Sequence, residues 1–428
     1  MKPKIIVIGG GWSGVAAAIA AKRAGAQVSL LERTDMLLGA GLVGGIMRNN
    51  GRYTAAEEAI AMGGGDLFKL TDRHARHKDV DFPGHLHATL YDVHRVEPAV
   101  RSLLGSRGVS VHLECRVVDV HKSGPRLIKS VIDEHTNEFS ADVFVDATGT
   151  SGPMGNCSRF GNGCAMCVQR CPTYGPRVSI AAKAGVHESQ ATKTPGVFGA
   201  MSGSCKIAKE SLARSVVGAL NRTGMFVAPL PASLISSAKL SIKACQQYAL
   251  SEYAEHLVLL DTGHAKLMTP FLPLDSLRSI SGFQRARYAD PYSGGRGNSV
   301  RFLALAPRDQ FLQVEGMDNL LCAGEKAGTL IGHTEAIVTG TLAGHNAVRK
   351  ALAMPLVGLS RSTAIGEFIA YTNEKMKSAE GLQQSYTFAG SVFFEHMKSK
   401  SLYTPDSLAA KTRVKQAGLD DIFSTRLT

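Results

Sequence analysis

The chain has 428 residues, 44% of them apolar and 20% charged, which excludes a disordered or fibrous protein and allows a large core divided into two or three units. A formal net charge of +12 favours anionic partners, nucleotides and nucleic acid among them, over cationic ones. Four of the eight cysteines (Cys115, Cys205, Cys245, Cys322) are scattered with no secreted-type framework, so a reducing, cytoplasmic compartment is expected.

The opening MKPKIIVIGGGWSGVAAAIAAK has the lysines, apolar run and small residues of a signal peptide, but three consecutive glycines interrupt it. A βαβ unit accounts for it better. Lys4–Ile8 is a β-branched run suited to a buried parallel strand, and Gly9-Gly10-Gly11-Trp12-Ser13-Gly14 is a G-x-G-x-x-G. Val15–Ala24 then reads as an alanine-rich helix stopped by Gly25, and Ala26–Leu31 as a second strand ending at Glu32 and Arg33. In such a unit Gly9 makes the turn, Gly11 admits a pyrophosphate, Gly14 lets helix and strand pack, and Glu32 accepts from a ribose hydroxyl. Dinucleotide binding is therefore expected.

A second glycine set, Gly39-Ala40-Gly41-Leu42-Val43-Gly44-Gly45, repeats the pattern without following a strand of a βαβ unit. It reads as a loop wrapped on the same cofactor. Residues 95–107 read as a helix and Val109–Val120 as strands, with Val118 on the cofactor. Asp142–Asp146 is a further strand, running into Ala147-Thr148-Gly149-Thr150. Helices are expected around 205–221 and 236–257. His333-Thr334-Glu335 opens a long helix with Thr334 as N-cap, and Gly340 and Gly344 permit close packing of that helix.

Asp142–Thr150 resembles the "ATG" strand of the two-dinucleotide-binding-domain flavoproteins, and Met317–Glu325 resembles their last FAD segment, "NLxxAGD", with Glu325 in place of Asp. The resemblance implies FAD rather than NAD, with Ala147, Thr148, Gly149, Gly324 and Glu325 on the cofactor. Gly324–Ala347, GEKAGTLIGHTEAIVTGTLAGHNA, is similar to a segment shared by the folate- and FAD-dependent tRNA uracil methyltransferases and the glucose-inhibited-division flavoproteins. Leu274–Phe283 and Ser362–Tyr371 resemble further methyltransferase segments. This implies a glutathione-reductase-like α/β fold: a Rossmann-like FAD-binding parallel sheet (1–155 and 295–372), an inserted α+β substrate domain (156–294) and a basic helical tail (373–428). It also places His333, Thr334, Glu335 and Ala336 beside the flavin, where a positive helix end stabilises the anionic reduced ring. The methyltransferases' "HRN" is replaced here by the stretch Tyr292–Asn298, and their substrate-side cysteines have no counterpart. The resemblance thus carries FAD and not uridine methylation.

Neither family accounts for Cys157, Cys164, Cys167 and Cys171, spaced C-x6-C-x2-C-x3-C-P. The last three, with Pro172, look like half of a bacterial ferredoxin run, and Arg159 and Arg170 offset a cluster's negative charge. Three readings stand: a 4Fe–4S cluster, structural zinc, or a metal-free Cys164–Cys167 pair facing the flavin. Cys205 is a candidate reactive thiol and Cys322 a core residue. His94, His264 and His333 are acid–base candidates, with His333 foremost. Arg285, Arg287, Arg296 and Arg301 are candidates for an anionic substrate.

The expectation is an FAD-dependent oxidoreductase passing electrons between a 4Fe–4S cluster and the flavin to a small-molecule or nucleobase substrate. A ferredoxin-like protein or NAD(P)H is the candidate donor. The alternatives are an RNA uridine-modifying enzyme and a flavin-bearing electron-carrier module. RNA and a second copy of the chain stand as candidate partners; no segment has the apolar length of a membrane span.

Overall fold

The β-branched run Lys4–Ile8 forms strand β1, buried over its last four residues. The computed structural model describes residues 2–150, 171–194, 197–198, 200–202, 205–240, 246–289, 299–301 and 303–428. Gly9, at φ +101°, turns the chain into helix α1 (Trp12–Arg23), so the end of the glycine pattern is already helical. Strand β2 (Gln27–Leu31) follows, then β3 (Ile46–Met47), α2 (Gly51–Ala61), α3 (Asp66–Arg73), the hairpin β4 (Ala75–Phe82) and β5 (His85–Tyr91), and α4 (Val93–Ser106). Asp92 caps α4 by accepting from the His94 N–H. The strands expected over 109–120 are β6 (Ser110–His112) and β7 (Val117–Gly124), and β8 (Leu127–Asp133), β9 (Glu138–Ser140) and β10 (Val143–Asp146) complete this half.

The main sheet is parallel throughout, in the order Leu320–Cys322, β10, β1, β2, β6. Its strands are almost continuously apolar because both faces are covered. Helix α1 packs against the long helix His333–Ala351. A Cβ at Gly340 would lie 2.1 Å from Ser13 O, and one at Gly344 2.1 Å from Ala17 O. Only glycine admits this approach.

A second sheet is antiparallel, in the order Cys205–Ile207, Ala265–Leu267, His256–Asp261, Met225–Pro229. The helix expected at 205–221 begins only at Arg214, because the sheet takes residues 205–207. Over 236–257 the described residues form short turns at Ser237–Lys239 and Gln246–Tyr248 and a five-residue helix, Ser251–Glu255, rather than one helix. The apolar run that follows, Leu257–Leu260, is a strand buried at every one of those residues. The β4–β5 hairpin packs on this sheet, with Val80, Phe82 and Leu90 against Tyr248, Tyr253 and Val258.

The segment expected as a basic tail is built into the main core. Phe388, Phe393, Met397, Val414 and Phe423 join the cluster that contains β1 and α1, and Arg413 pairs with buried Glu58 at 3.1 Å. Among the described residues no helix is long and apolar enough to cross a membrane.

Candidate functional site

The C-terminal ends of β1 and β10 open, together with the Gly324–Glu325 turn, into a cavity, the place where parallel sheets bind ligands. Helix α1 starts here with Gly11 as N-cap, no side-chain cap and no acidic residue in its first turn, leaving backbone N–H groups for an anion. At the end of β2, Glu32 accepts from Gly10 N at 2.7 Å through one oxygen, and from Thr34 N and Oγ1 at 2.9 and 3.0 Å through the other. At the end of β10, the fully buried Asp146 accepts from Thr148 N (3.1 Å) and Oγ1 (2.6 Å) and from Ile180 and Ala181 N (both 3.0 Å). That carboxylate fixes the Ala147–Gly149 loop. Thr150 Oγ1 donates to Glu325 Oε2 at 3.2 Å and ties the loop to the Gly324–Glu325 turn.

His333 begins the long helix and lines the cavity. Its ring lies against Gly44, where a Cβ would fall 1.6 Å from the imidazole, and beside Trp12, with ring centroids 5.9 Å apart. Its Nδ1 is 3.2 Å from the Tyr91 hydroxyl, which is also within 3.2 Å of Gly41 O. Burial pushes the Tyr91 hydroxyl pKa well up, so it stays a proton donor. Opposite, the Arg177 guanidinium sits over Gly149, 2.6 Å from the position of a Cβ there. Burial and neighbouring Arg33 lower its pKa, opposed by Glu325, Cys171 and Glu32.

Of the residues expected on the cofactor, Gly9, Gly11, Trp12, Ser13, Glu32, Arg33, Gly39, Gly41, Ala147, Thr148, Gly149, Gly324, Glu325 and Ala336 line this cavity. Four others do not. Gly14 serves packing, since a Cβ there would lie 1.8 Å from Gly9 O. Val118 alternates away from the lining residue Val117 on β7. Thr334 is not an N-cap, which is Gly332, but a buried helical residue 3.9 Å from Met47 Sδ. Glu335 is spent on a buried ion pair with Arg52. Cys205, expected as a reactive thiol, is a buried strand residue paired with Leu267 in the second sheet's core, away from the cavity lining.

His94 and His264 contact each other, Nε2 to Nε2 at 2.8 Å, but do not line the cavity. Arg287 pairs with Glu210. Cys171 is buried at the start of the short helix Cys171–Tyr174, while Cys157, Cys164, Cys167 and Arg296 lie outside the described residues. Thr34, Cys115, Arg116 and Arg177 line the cavity without having been expected. Cys115, Arg116 and Arg177 lie in irregular segments between strands and helices, which no motif marks.

The cavity suits a dinucleotide. Cβ atoms built at Gly11 and Gly39 meet nothing within 4 Å, so bare backbone at both positions leaves a cradle that side chains would fill. Gly11 has φ −67°, a conformation open to any residue, so its glycine answers to space rather than to backbone geometry. Adjoining it are the free N–H groups of α1 for phosphates and the Glu32 carboxylate for a ribose.

Residues 4–152 match the family model of FAD dependent oxidoreductases, and residues 241–355 match that of glucose inhibited division protein A. The chain thus resembles the GidA flavoproteins, and its first 152 residues carry the sequence pattern of FAD dependent oxidoreductases. Two crystal forms of Aquifex aeolicus GidA share the fold. Form II aligns with a TM-score of 0.71 at 15% identity, over 99% of this chain and 74% of that one. Form I aligns at 0.68 and 14% identity, over 99% and 76%. The first family match ends just past the Ala147–Thr150 loop, so this flavoprotein's cavity is built largely inside it, and the second covers Gly324–Ala336.

Proposed function

We propose that this flavoprotein moves electrons between FAD in the described cavity and a small-molecule or nucleobase substrate, with Cys157, Cys164, Cys167 and Cys171 forming a 4Fe–4S relay fed by a ferredoxin-like protein. One observation carries the reading. Cys171, last of the four, is buried at the start of a segment whose Gly175 carbonyl accepts from Arg33 and whose Pro176 carbonyl accepts from Arg116 Nε at 2.9 Å, and both arginines line the cavity. Bound there, FAD supplies two-electron exchange with a substrate and one-electron exchange with a carrier. The backbone N–H groups at Gly11–Ser13 would hold its diphosphate, Glu32 a ribose, and Arg177 would offset negative charge. Tyr91 orients His333 at the cavity wall and keeps its own proton.

The test is an iron, zinc and acid-labile sulfide assay on protein prepared without oxygen. Iron and sulfide near four per chain, lost in Cys171→Ser while FAD is retained, supports the relay. FAD without iron removes it. A second reading, uridine modification in RNA, is favoured by the match of residues 241–355 to glucose inhibited division protein A and by the +12 charge. No RNA binding at low salt, where phosphate contacts are strongest, would remove that reading.

A further inference from the structure

We propose that the cleft between the α3–β4 turn, helix α4 and the second sheet is a binding site for a phosphate-bearing dianion, separate from the FAD cavity. The cleft is bounded by Arg73, His74, Arg76, His77, Arg95 and Asn221, with two carboxylates in its wall, Asp92 and Asp261.

Those carboxylates are already satisfied. Asp261, fully buried, accepts from Arg76 Nε at 2.9 Å through one oxygen, and from His77 Nε2 (2.9 Å) and Lys209 Nζ (3.0 Å) through the other. Asp92 accepts from Arg76 Nη1 at 3.0 Å and from the His94 N–H at 2.9 Å. Burial pushes both carboxyls up, but these bonds outweigh it and hold both below the usual range. Both are therefore ionised at neutral pH, and Arg76 and Lys209 balance them.

Two guanidiniums remain. Among the described residues, Arg73 and Arg95 make no ion pair and no side-chain hydrogen bond, and both are exposed on the cleft. With neutral histidines the cleft carries two uncompensated positive charges. Lys209 Nζ also donates to Asn221 Oδ1 at 2.7 Å, so the amide group of Asn221 keeps its own N–H donors. A pair of planar five-donor cations, with neutral donors beside them and no open acceptor, matches a tetrahedral phosphate dianion better than a single carboxylate. The bound anion would also bridge distant elements, since Arg73 and Arg95 lie on α3 and α4 and Asn221 on the helix Arg214–Thr223.

Equilibrium titration of FAD-loaded protein at constant ionic strength tests this, using inorganic phosphate and, in a second arm, adenosine monophosphate, with chloride as the reference anion. The expected result is saturable binding, weakened at least about tenfold in Arg73→Gln/Arg95→Gln. FAD content and melting temperature should not change, and Lys2→Gln/Lys22→Gln, on a different surface, should bind as wild type. Tighter binding of the monophosphate identifies a phosphomonoester as the ligand; phosphate alone identifies the free ion. No saturable binding in either arm, or unchanged binding in the double variant, overturns the site.

Discussion

Arg52 Nε lies 3.0 Å from Glu335 Oε1 in a fully enclosed joint between α2 and the first turn of the helix His333–Ala351. The same carboxylate oxygen accepts from Thr387 Oγ1 at 2.6 Å and Phe388 N at 2.9 Å, so one acid ties three distant segments to the cavity wall at His333. Glu335→Gln leaves a guanidinium buried without its counter-charge, which costs about 3–5 kcal/mol. Urea unfolding should show that loss. The paired replacement Arg52→Met/Glu335→Leu should recover only part of it, because Thr387 Oγ1 and Phe388 N lose their acceptor, and the folded fraction should keep its FAD.

The contact of α1 with the long helix depends on two absent side chains. Gly344→Ala places a methyl carbon 2.1 Å from Ala17 O, and the helices must separate. Overpacking of this kind costs about 1–3 kcal/mol. Thermal unfolding should report a lowered midpoint, whereas Gly105→Ala, where a Cβ meets nothing within 4 Å, should not lower it through packing.

His345 is fully buried beside Phe423, with neither ring nitrogen hydrogen-bonded among the described residues. Burial, helped by Arg349, lowers its pKa from 6.5 to about 4. As pH falls below 6.5 the unfolded chain takes a proton that the folded chain refuses until about pH 4, so stability declines across that window and no further below it. The contribution amounts to about 3 kcal/mol at about 1.4 per pH unit. His345→Leu should remove it, seen as the difference between the two stability–pH profiles.

Arg177 brings a guanidinium to the cavity from a loop that no motif marks. A hydrogen bond to a charged group is worth about 1.5–3 kcal/mol. Arg177→Met should therefore weaken FAD retention by about 10- to 100-fold, measured by fluorescence of released flavin. The melting temperature of the apoprotein should be unchanged.

What the sequence discloses is what is local. Strand, glycine turn, helix and strand lie within residues 4–31, and each is dictated by its own neighbours, so most of the cradle was legible. Glu335 was misjudged because an acid in a helix's first turn says nothing of a partner 283 positions away at Arg52. The helix expected around 236–257 overran into the strand His256–Asp261, because a short, fully buried apolar run shows no period of its own to mark where a helix ends. Arg116 and Arg177 come from irregular segments, where only tertiary structure decides which side chain reaches the cavity. The C-terminal segment carried Phe393 and Met397 one helical turn apart, a buried stripe overshadowed by its lysines.

The most direct test of the central claim compares the flavin content of purified wild-type protein with that of Gly11→Val. The valine fits the backbone at φ −67°, and its Cβ meets no protein atom within 4 Å at a position that lines the cavity. The expected result is FAD near one per chain in the wild type, and a folded, colourless variant. A wild type without flavin, or a variant that keeps its full complement, would contradict the assignment of this cavity to FAD.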